Sequence, residues 1–358
     1  MSTSSVLPWA DDLENPQNWP FGKRWLITLL TSLYMLISPI SSSIVAPALP
    51  VLRQEFHIST ALATQMMLSA FILASAVGPL IVSPLSEVYG RRSVLQLTTL
   101  FFLIFNMSCA FSQNAAQLLI FRFLAGIGGS APAIGGGILA DCWRPEERGK
   151  SLSFYYIFPL LGPALGPIIG GFIMRYSSWQ WMFYSTSILA AAVQLYGHFA
   201  FPETYPPRIQ RLRAMRLSKT GQTANFNIYS DGQEMSLRKV LSQALTRPMK
   251  LLGTQAIVQI LALYTAYIYG LMYLALSTFA AVWTNAYGQT DEIAGLNYIS
   301  LGIGFTLGTQ IMAPINDRVS DHTHVLERFT NRLNLFRYIL PLNHAMGVLV
   351  FPNTVHRC

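Results

Sequence analysis

The chain has 358 residues, of which 52% are hydrophobic and only 11% are charged, and its formal net charge is +8. Soluble domains carry roughly 25% charged residues, so this composition excludes a water-soluble globular protein. Apolar runs of about 20 residues recur along the chain, and each is long enough to cross a bilayer core as a helix. The alternating polarity of a membrane β-barrel is missing. The composition therefore predicts an all-α polytopic membrane protein.

Eight apolar stretches are predicted to span the membrane. They are Trp25–Pro47, Ala63–Val82, Ser93–Phe111, Gln117–Ala140, Ser151–Met174, Trp181–Phe201, Leu251–Leu276 and Ala294–Ile315. The first 24 residues contain three acids and no apolar core, so we expect no secretory signal peptide. The cysteines at 109, 142 and 358 are scattered, which predicts neither a disulfide framework nor a metal site. No phosphate-binding loop is present, so neither a cofactor nor ATP-driven pumping is expected.

Positive charges fall on alternate connections between the predicted spans. Segment 203–250 alone holds nine Lys or Arg against three Asp or Glu. The positive-inside rule therefore places the N-terminus and this loop in the cytoplasm. Basic residues between membrane segments set topology and can contact anionic lipid, so no nucleic-acid partner is expected.

The spacing of the spans divides the chain into five parts. They are a cytoplasmic N-terminal tail (1–24), a six-span N-terminal bundle (25–201), a basic cytoplasmic loop (202–250), two further spans (251–316) and a divergent tail (317–358).

The connection between the second and third spans, Ser83–Arg92, contains Glu87, Gly90, Arg91 and Arg92. Gly90 gives a tight turn its backbone freedom, and Glu87 can pair with a cation in one conformation and release it in another. The alternative is a simple turn with a topology signal, because Arg pairs flank many membrane helices. The spacing Ser-x-Leu-x-Glu-x-x-Gly-Arg-Arg resembles the same loop in the major facilitator superfamily. That resemblance implies a gating loop in a secondary transporter.

Arg122 lies inside the predicted fourth span. A charge there is costly, so by default it faces a cavity or a partner on an ion or substrate route. The alternative is an arginine that snorkels to the outer interface. The pattern Arg-x-x-x-Gly-x-Gly resembles the fourth-span motif of the superfamily, which implies a role for Arg122 in proton coupling.

The predicted fifth span is rich in glycine and proline. The residues concerned are Gly162, Pro163, Gly166, Pro167, Gly170 and Gly171. Glycines four residues apart let helices approach closely, and prolines remove backbone hydrogen bonds. The pattern permits either a static packing seam or a bendable helix. It resembles the antiporter motif of drug exporters, which favours export over uptake.

Three further segments narrow the resemblance, namely Glu14–Pro20, Asp141–Lys150 and Pro202–Tyr205. Together with Glu87 in place of the commoner Asp, they are similar to the fungal branch of the drug:proton antiporter-1 family. The resemblance implies a major facilitator fold with a complete six-span N-terminal half and a partial C-terminal half. It implies a monomer in the plasma or vacuolar membrane that exports small organic compounds in exchange for protons. Drugs, toxins, polyamines and fungal secondary metabolites are the expected substrate classes.

Polar and aromatic side chains within the spans are candidates for a substrate cavity. They are Tyr34, Gln65, Tyr155, Gln255, Gln259 and Tyr264. Such groups are costly against lipid, so some of them are expected to face inward. Interfacial anchoring or packing is the alternative for each.

Two alternatives to an exporter remain at this point. An uptake carrier of the same fold would be expected to lack the glycine and proline pattern of the fifth span. Near residue 318 this sequence leaves the family pattern, whereas family members continue into four more spans. The second alternative is therefore a truncated remnant of such a transporter. Such a remnant would not transport by itself, and it would need or regulate another, full-length chain.

Overall fold

A computed structural model of the protein describes residues 9–145, 147–219, 246, 248–304 and 307. Within these residues the chain is helical and has no strand, so the prediction of an all-α membrane protein is confirmed. The helices include α1 (Phe21–Ser43), α2 (Leu49–Glu55), α3 (Ala61–Tyr89), α4 (Arg91–Cys109), α5 (Ala115–Gly128), α6 (Pro132–Cys142), α7 (Arg148–Tyr176), α8 (Gln180–Ala200), α9 (Pro206–Lys219), α10 (Ala256–Tyr287) and α11 (Asp291–Leu296).

Six helical segments of the described residues are long and apolar enough to cross a membrane. They are Phe21–Glu55, Leu62–Tyr89, Arg91–Cys109, Ala115–Cys142, Arg148–Tyr176 and Ala256–Thr284. The sequence predicts eight spans, and two of these are not among the six segments.

The first difference is α8, the predicted sixth span. It has the necessary length, with 21 residues, but Gln194 and His198 make it less apolar than the six segments. The second is the predicted eighth span, Ala294–Ile315, of which only part lies within the described residues. There the structure has a shorter apolar helix, Ile293–Gly304.

The first eight helices pack into one bundle, here called the first unit. Helix α1 runs along α7, while α3 and α4 both flank α5, and α8 closes the bundle against α4 and α1. Large side chains such as Phe71, Phe102 and Tyr155 fill the interior. The start of α5 is fixed by Asn114, whose side chain accepts a hydrogen bond from the Gln117 N–H at 2.9 Å. This bundle positions every buried polar group discussed below.

The predicted fourth span is interrupted at its centre. Helix α5 ends at Gly128 and α6 begins at Pro132, because proline lacks an N–H donor and is tolerated only in the first turn of a helix. A Cβ atom at Gly128 would lie 2.7 Å from the Phe102 Cα. The glycine therefore lets α4 and α5 pack with their backbones in contact.

Helices α10 and α11, with the helical residues 298–304, form a second unit. Helix α10 begins after Gln255, whose backbone is extended, and continues past the predicted end of the seventh span at Leu276. It meets the first unit near Leu276, which is 1% exposed, beside the turn Ala46–Ala48. Tyr298 donates a hydrogen bond to the Leu276 carbonyl at 2.5 Å. The two units therefore touch at the end of the bundle opposite Gly90.

Candidate functional site

The turn between α3 and α4 is a single residue, Gly90. Its φ of 93° lies in the left-handed region that side chains disfavour, and a Cβ atom there would overlap the Glu203 carboxylate. Glu203 Oε1 accepts a hydrogen bond from the Arg91 N–H at 2.9 Å. The same oxygen accepts from the N–H groups of Thr204 and Tyr205, each at 3.0 Å. The glycine therefore makes room for an acid that caps the start of α4.

The Arg91 side chain is buried among α3, α6 and the linker that follows α8. Its Nη1 donates to Ser86 Oγ at 2.6 Å, and its Nε donates to Asp141 Oδ2 at 3.3 Å. The guanidinium lies 5.0 Å from the ring centroid of Tyr205. It occupies the space above Gly137, where a Cβ atom would lie 2.9 Å from Nη2. The side chains of Arg91 and Asp141 are only 10% and 14% exposed, so water screens this ion pair weakly.

Glu87 and Arg92, the other charged residues of the predicted gating loop, lie outside this pair. Glu87 is exposed and forms no hydrogen bond or ion pair with the described part of the chain. Arg92 Nη2 donates to the His198 carbonyl at 2.7 Å and so ties α4 to the end of α8. Glu87 acts only at longer range: burial raises the pKa of Tyr205, and the negative charge of Glu87 adds to the rise.

Asp141 and Glu203 are the acids that hold Arg91 in this conformation, and the sequence analysis did not choose them as site residues. They belong to the segments Asp141–Lys150 and Pro202–Tyr205, which carried the family resemblance only. Each acid lies at or just beyond the end of an apolar stretch, on the same predicted side as the arginine pair. This position could have identified both acids as partners of Arg91, because charged side chains at one end of a membrane bundle can contact only one another or water.

Arg122 has none of its surface exposed. Its Nε donates to the Met67 carbonyl of α3 at 3.1 Å. Its Nη1 and Nη2 donate to the carbonyls of Ser41 and Ser42 on α1 at 2.9 and 3.3 Å. No acid pairs with it among the described residues, so backbone dipoles and the nearby ring of Phe71, 4.9 Å away, surround the charge. The guanidinium thus points into the bundle and does not extend to an interface.

A second polar group, Asn106, adjoins this arginine. It is fully buried, and its Oδ1 accepts a hydrogen bond from the Ser41 hydroxyl at 3.1 Å. Its Nδ2 lies 2.9 Å from the hydroxyl oxygens of Thr186 and Ser187 on α8. The sequence analysis missed this residue, although a polar amide within an apolar span is itself a signal of a buried network. Asn106 joins α1, α4 and α8 at the level of Arg122.

Ser42 connects Arg122 to the second unit. Its carbonyl accepts from Arg122, and its hydroxyl lies 3.2 Å from the hydroxyl of Tyr273 on α10. A change of charge beside Arg122 can therefore affect hydrogen bonds in both units.

The glycine-rich helix α7 is continuous from Arg148 to Tyr176 despite three internal prolines. One face of it contacts α1. A Cβ atom at Gly162 or Gly166 would overlap Pro39 or Ser43, and one at Gly170 would overlap the Ile44 carbonyl.

A second face of α7 contacts the second unit. A Cβ atom at Gly295 would lie 3.3 Å from the Pro167 carbonyl and 3.7 Å from the Gly171 Cα. A Cβ atom at Gly302 would lie 3.1 Å from the Ala164 Cβ. Small residues thus allow α7 to pack closely against both units at once.

The contact at Gly166 leads to a stability prediction. We expect Gly166→Ala to lower the melting temperature in detergent, because the added methyl group would lie 2.9 Å from the backbone of Ile40 and Ile44. Overpacking of this kind costs about 1–3 kcal/mol. Gly270→Ala is the matched control, because a Cβ atom there meets nothing within 4 Å. The melting temperatures are measured by size-exclusion chromatography after heating. Equal values for the two variants would contradict the proposed close contact.

The predicted substrate-cavity residues do not form one cluster. Tyr34 donates to Gln194 of α8 at 3.1 Å, and Tyr155 donates to the Pro132 carbonyl at 2.9 Å. Both tyrosines are thus packed inside the first unit. Gln65 is half-buried on α3.

The remaining three candidates lie at the start of α10. Gln255 and Gln259 are exposed, and Tyr264 is 60% exposed. Gln259 Nε2 donates to the Leu252 carbonyl at 2.8 Å, across the break that precedes α10. Tyr273, which contacts Ser42, is the aromatic residue of α10 that reaches the buried network.

Comparison with known proteins was made against families, curated sequences and solved structures. Residues 31–356 match the model of the Major Facilitator Superfamily. An efflux pump of Penicillium aethiopicum, vrtL, is 45% identical over 318 residues, which are 88% of this chain and 63% of the relative. The transporter oryF of Aspergillus oryzae is 42% identical, with 88% of this chain and 65% of the relative covered. The chain thus spans less than two thirds of the length of these two relatives.

Solved structures agree on the fold. The xylose transporter of E. coli in a partially occluded, inward-open conformation aligns with a TM-score of 0.55 at 18% identity, covering 78% of this chain and 70% of that one. A bacterial homologue of the human lysosomal transporter Spinster aligns with a TM-score of 0.59 at 15% identity, covering 83% and 64%. The family match, the fungal relatives and the helical bundle lead to one conclusion: this chain belongs to the Major Facilitator Superfamily of membrane transporters.

Proposed function

We propose that the protein exports small organic compounds in exchange for protons by alternating access. The observation that carries this proposal is Arg122, a fully buried charge bonded to the carbonyls of two helices and linked through Ser42 to Tyr273 of the second unit. A charge without an acidic partner in the described residues makes its surroundings sensitive to protonation nearby. A proton that binds more tightly in one conformation shifts the population toward it.

The Arg91 group is proposed to act as the gate at one end of the first unit. Arg91 joins α3, α4 and α6 through Ser86 and Asp141, and Glu203 joins the linker after α8 to the start of α4. These bonds would make that end of the unit move as one body while the two units rock around the substrate. Glu87, exposed beside the group, is available to pair with a cation in another conformation.

The two faces of α7 support export as the direction of transport. Close packing against both units through small residues is what a helix at a sliding contact needs, and the same pattern resembles the motif of drug exporters. The efflux-pump relative from Penicillium, at 45% identity, favours the same direction. Drugs, toxins, polyamines and fungal metabolites remain the proposed substrate classes, carried by a monomer.

The proposed orientation places the N-terminus, the Gly90 turn and segment 202–250 in the cytoplasm. The charge distribution supports it, since most Lys and Arg residues of the connections lie on that side. The proposed boundaries are those stated above: a tail, a six-span bundle, the basic loop and a second set of spans. The plasma membrane is the proposed location, with the vacuolar membrane as the alternative.

The test is transport by the purified full chain in liposomes that enclose a pH-sensitive dye. A panel of rhodamine 6G, spermidine and a neutral polyketide is added to vesicles with an imposed pH gradient. We expect at least one probe to move against its concentration gradient while protons move the opposite way. Probe movement without proton movement, or no movement of any probe under a gradient, would refute proton-coupled export.

A further inference from the structure

Helix α9 is amphipathic in an unusual way, with two separate faces that both carry arginine. At 100° per residue, Ile209, Arg213 and Arg216 fall within one narrow arc of the helix. Arg208, Arg211, Leu212 and Met215 fall within a second arc, which we call the outer stripe. The two arcs meet different surroundings in the structure.

The N-terminal segment Trp9–Trp19 contacts the first face. Arg213 forms an ion pair with Asp12, which is 5% exposed. Arg216 lies 3.5 Å from Glu14 in a more exposed pair. Ile209 is 8% exposed. The buried Asp12 therefore orients this face of α9 toward the N-terminal segment.

The N-terminal segment is in turn attached to the first unit. The Asn15 side chain accepts from the Gln17 N–H at 3.1 Å and donates to the Trp9 carbonyl at 3.1 Å, which closes the segment on itself. Arg144, in the connection after α6, donates to the Asn18 side chain at 3.0 Å. The segment Trp9–Trp19, which overlaps the family-identifying Glu14–Pro20, therefore connects α9 to the first unit.

The outer stripe faces away from this support. Leu212 is 37% exposed and Met215 is 52% exposed, while Arg211 is exposed and Arg208 is half-buried. Neither Arg208 nor Arg211 forms an ion pair with a described residue. Apolar and cationic side chains thus share one accessible strip on a helix of 14 residues.

The position of α9 brings this strip near the bilayer. Helix α8 ends at Ala200, and α9 begins at Pro206 after a short linker. Phe201, at the start of this linker, is 1% exposed, so the linker is held against the end of the bundle. A helix fixed so close to the end of a membrane helix lies at headgroup level, where arginine stems and apolar side chains both find favourable surroundings.

We propose that the outer stripe of α9 binds anionic lipid headgroups of the membrane in which the protein resides. Arg208 and Arg211 pair with the phosphate or carboxylate groups, and Leu212 and Met215 enter the boundary of the acyl chains. Anionic lipid fits because two unpaired cations require negative partners and the adjacent apolar groups require a non-aqueous layer. An acidic soluble protein would provide negative partners for the two arginines but no non-aqueous layer for Leu212 and Met215.

The experiment uses the full chain in nanodiscs, with a fluorophore on Met215→Cys. Cys358 is replaced by Ser, while Cys109 and Cys142 stay because both are buried. Lipids spin-labelled at the headgroup report proximity by quenching. We expect at least two-fold stronger quenching with about 30% phosphatidylserine than with phosphatidylcholine alone, and a decrease in high salt.

Variants separate charge from general stability. Arg208→Glu with Arg211→Glu should reduce quenching in anionic nanodiscs to the level in neutral ones, and Arg208→Lys with Arg211→Lys should retain most of it. Lys150→Glu, a single charge reversal at an exposed position of the same end, should leave quenching unaltered. Equal quenching in both lipid mixtures, or quenching that survives the double Glu variant, would overturn the proposal. Transport activity does not enter this test, so the result is independent of the proposed export function.

Discussion

Arg122→Ala is expected to abolish transport driven by a pH gradient. The change removes a fully buried charge and three hydrogen bonds to carbonyls of α1 and α3. Arg122→Lys keeps the charge, but the lysine ammonium cannot reach the three carbonyl acceptors that the planar guanidinium reaches. Transport by this variant should therefore fall at least about tenfold. Proteoliposomes containing each variant provide the measurement, with uptake followed at several values of external pH.

The control must separate coupling from folding. Loss of so large a buried side chain costs about 2–5 kcal/mol, so each variant is first checked for a monodisperse peak and for its melting temperature. Arg53→Ala is the matched arginine substitution, because Arg53 is exposed on α2 and contacts only local carbonyls of Ile58 and Ser59. A folded Arg122→Ala protein that retains normal pH-driven transport would disprove the proposed role. Exchange of substrate without a gradient is expected to survive in Arg122→Lys.

Arg91→Ala is expected to have the second largest effect. It leaves Asp141 buried without its cation and removes the hydrogen bond to Ser86. Removing one partner of a buried ion pair destabilises a protein by about 3 kcal/mol. Asp141→Asn in the same chain should restore part of the loss, since a neutral amide tolerates burial better than an unpaired carboxylate. The four melting temperatures of this double-mutant cycle give the coupling between the two residues.

The neighbouring arginine provides the comparison for this cycle. Arg92 donates to one carbonyl, that of His198, so Arg92→Ala should cost less than Arg91→Ala. The same order is expected for transport, because only Arg91 joins three helix ends of the first unit. Equal losses in the two single variants, with no recovery in the double variant, would show that the buried pair does not organise this end.

Much of the fold could be predicted from the sequence because a bilayer imposes strong rules on it. Runs of about 20 apolar residues must be helices, since no other open structure satisfies its backbone in lipid. The turn at Gly90 and the close packing of α7 were among the alternatives that the sequence predicted, and so was the inward-facing Arg122. Glycine permits close backbone contacts, and a charge is costly against lipid. The break in the fourth span was missed, although Gly129 and Pro132 were visible signals.

The individual partners could not be predicted from sequence. The acids that hold Arg91 are Asp141 and Glu203, which lie 50 and 112 residues away along the chain. Tyr34 and Tyr155 were candidates for a substrate cavity, with packing as the alternative. Their hydroxyls bond to Gln194 and to the Pro132 carbonyl within the first unit, partners that the local sequence does not indicate. The reach of a polar side chain depends on which helices lie beside it, and local sequence does not contain that information.

The sequence by itself determined the membrane setting, the helical class and the family resemblance. It also identified the polar and charged residues whose exposure to lipid would be unfavourable. The tertiary structure decided which of those residues meet. It placed Asn106 and Ser42 beside Arg122, brought Asp12 to Arg213, and set two faces of α7 against two units. The physical reason is that hydropathy acts residue by residue along the chain, whereas hydrogen bonds and ion pairs form only where packed helices bring distant groups within about 3 Å.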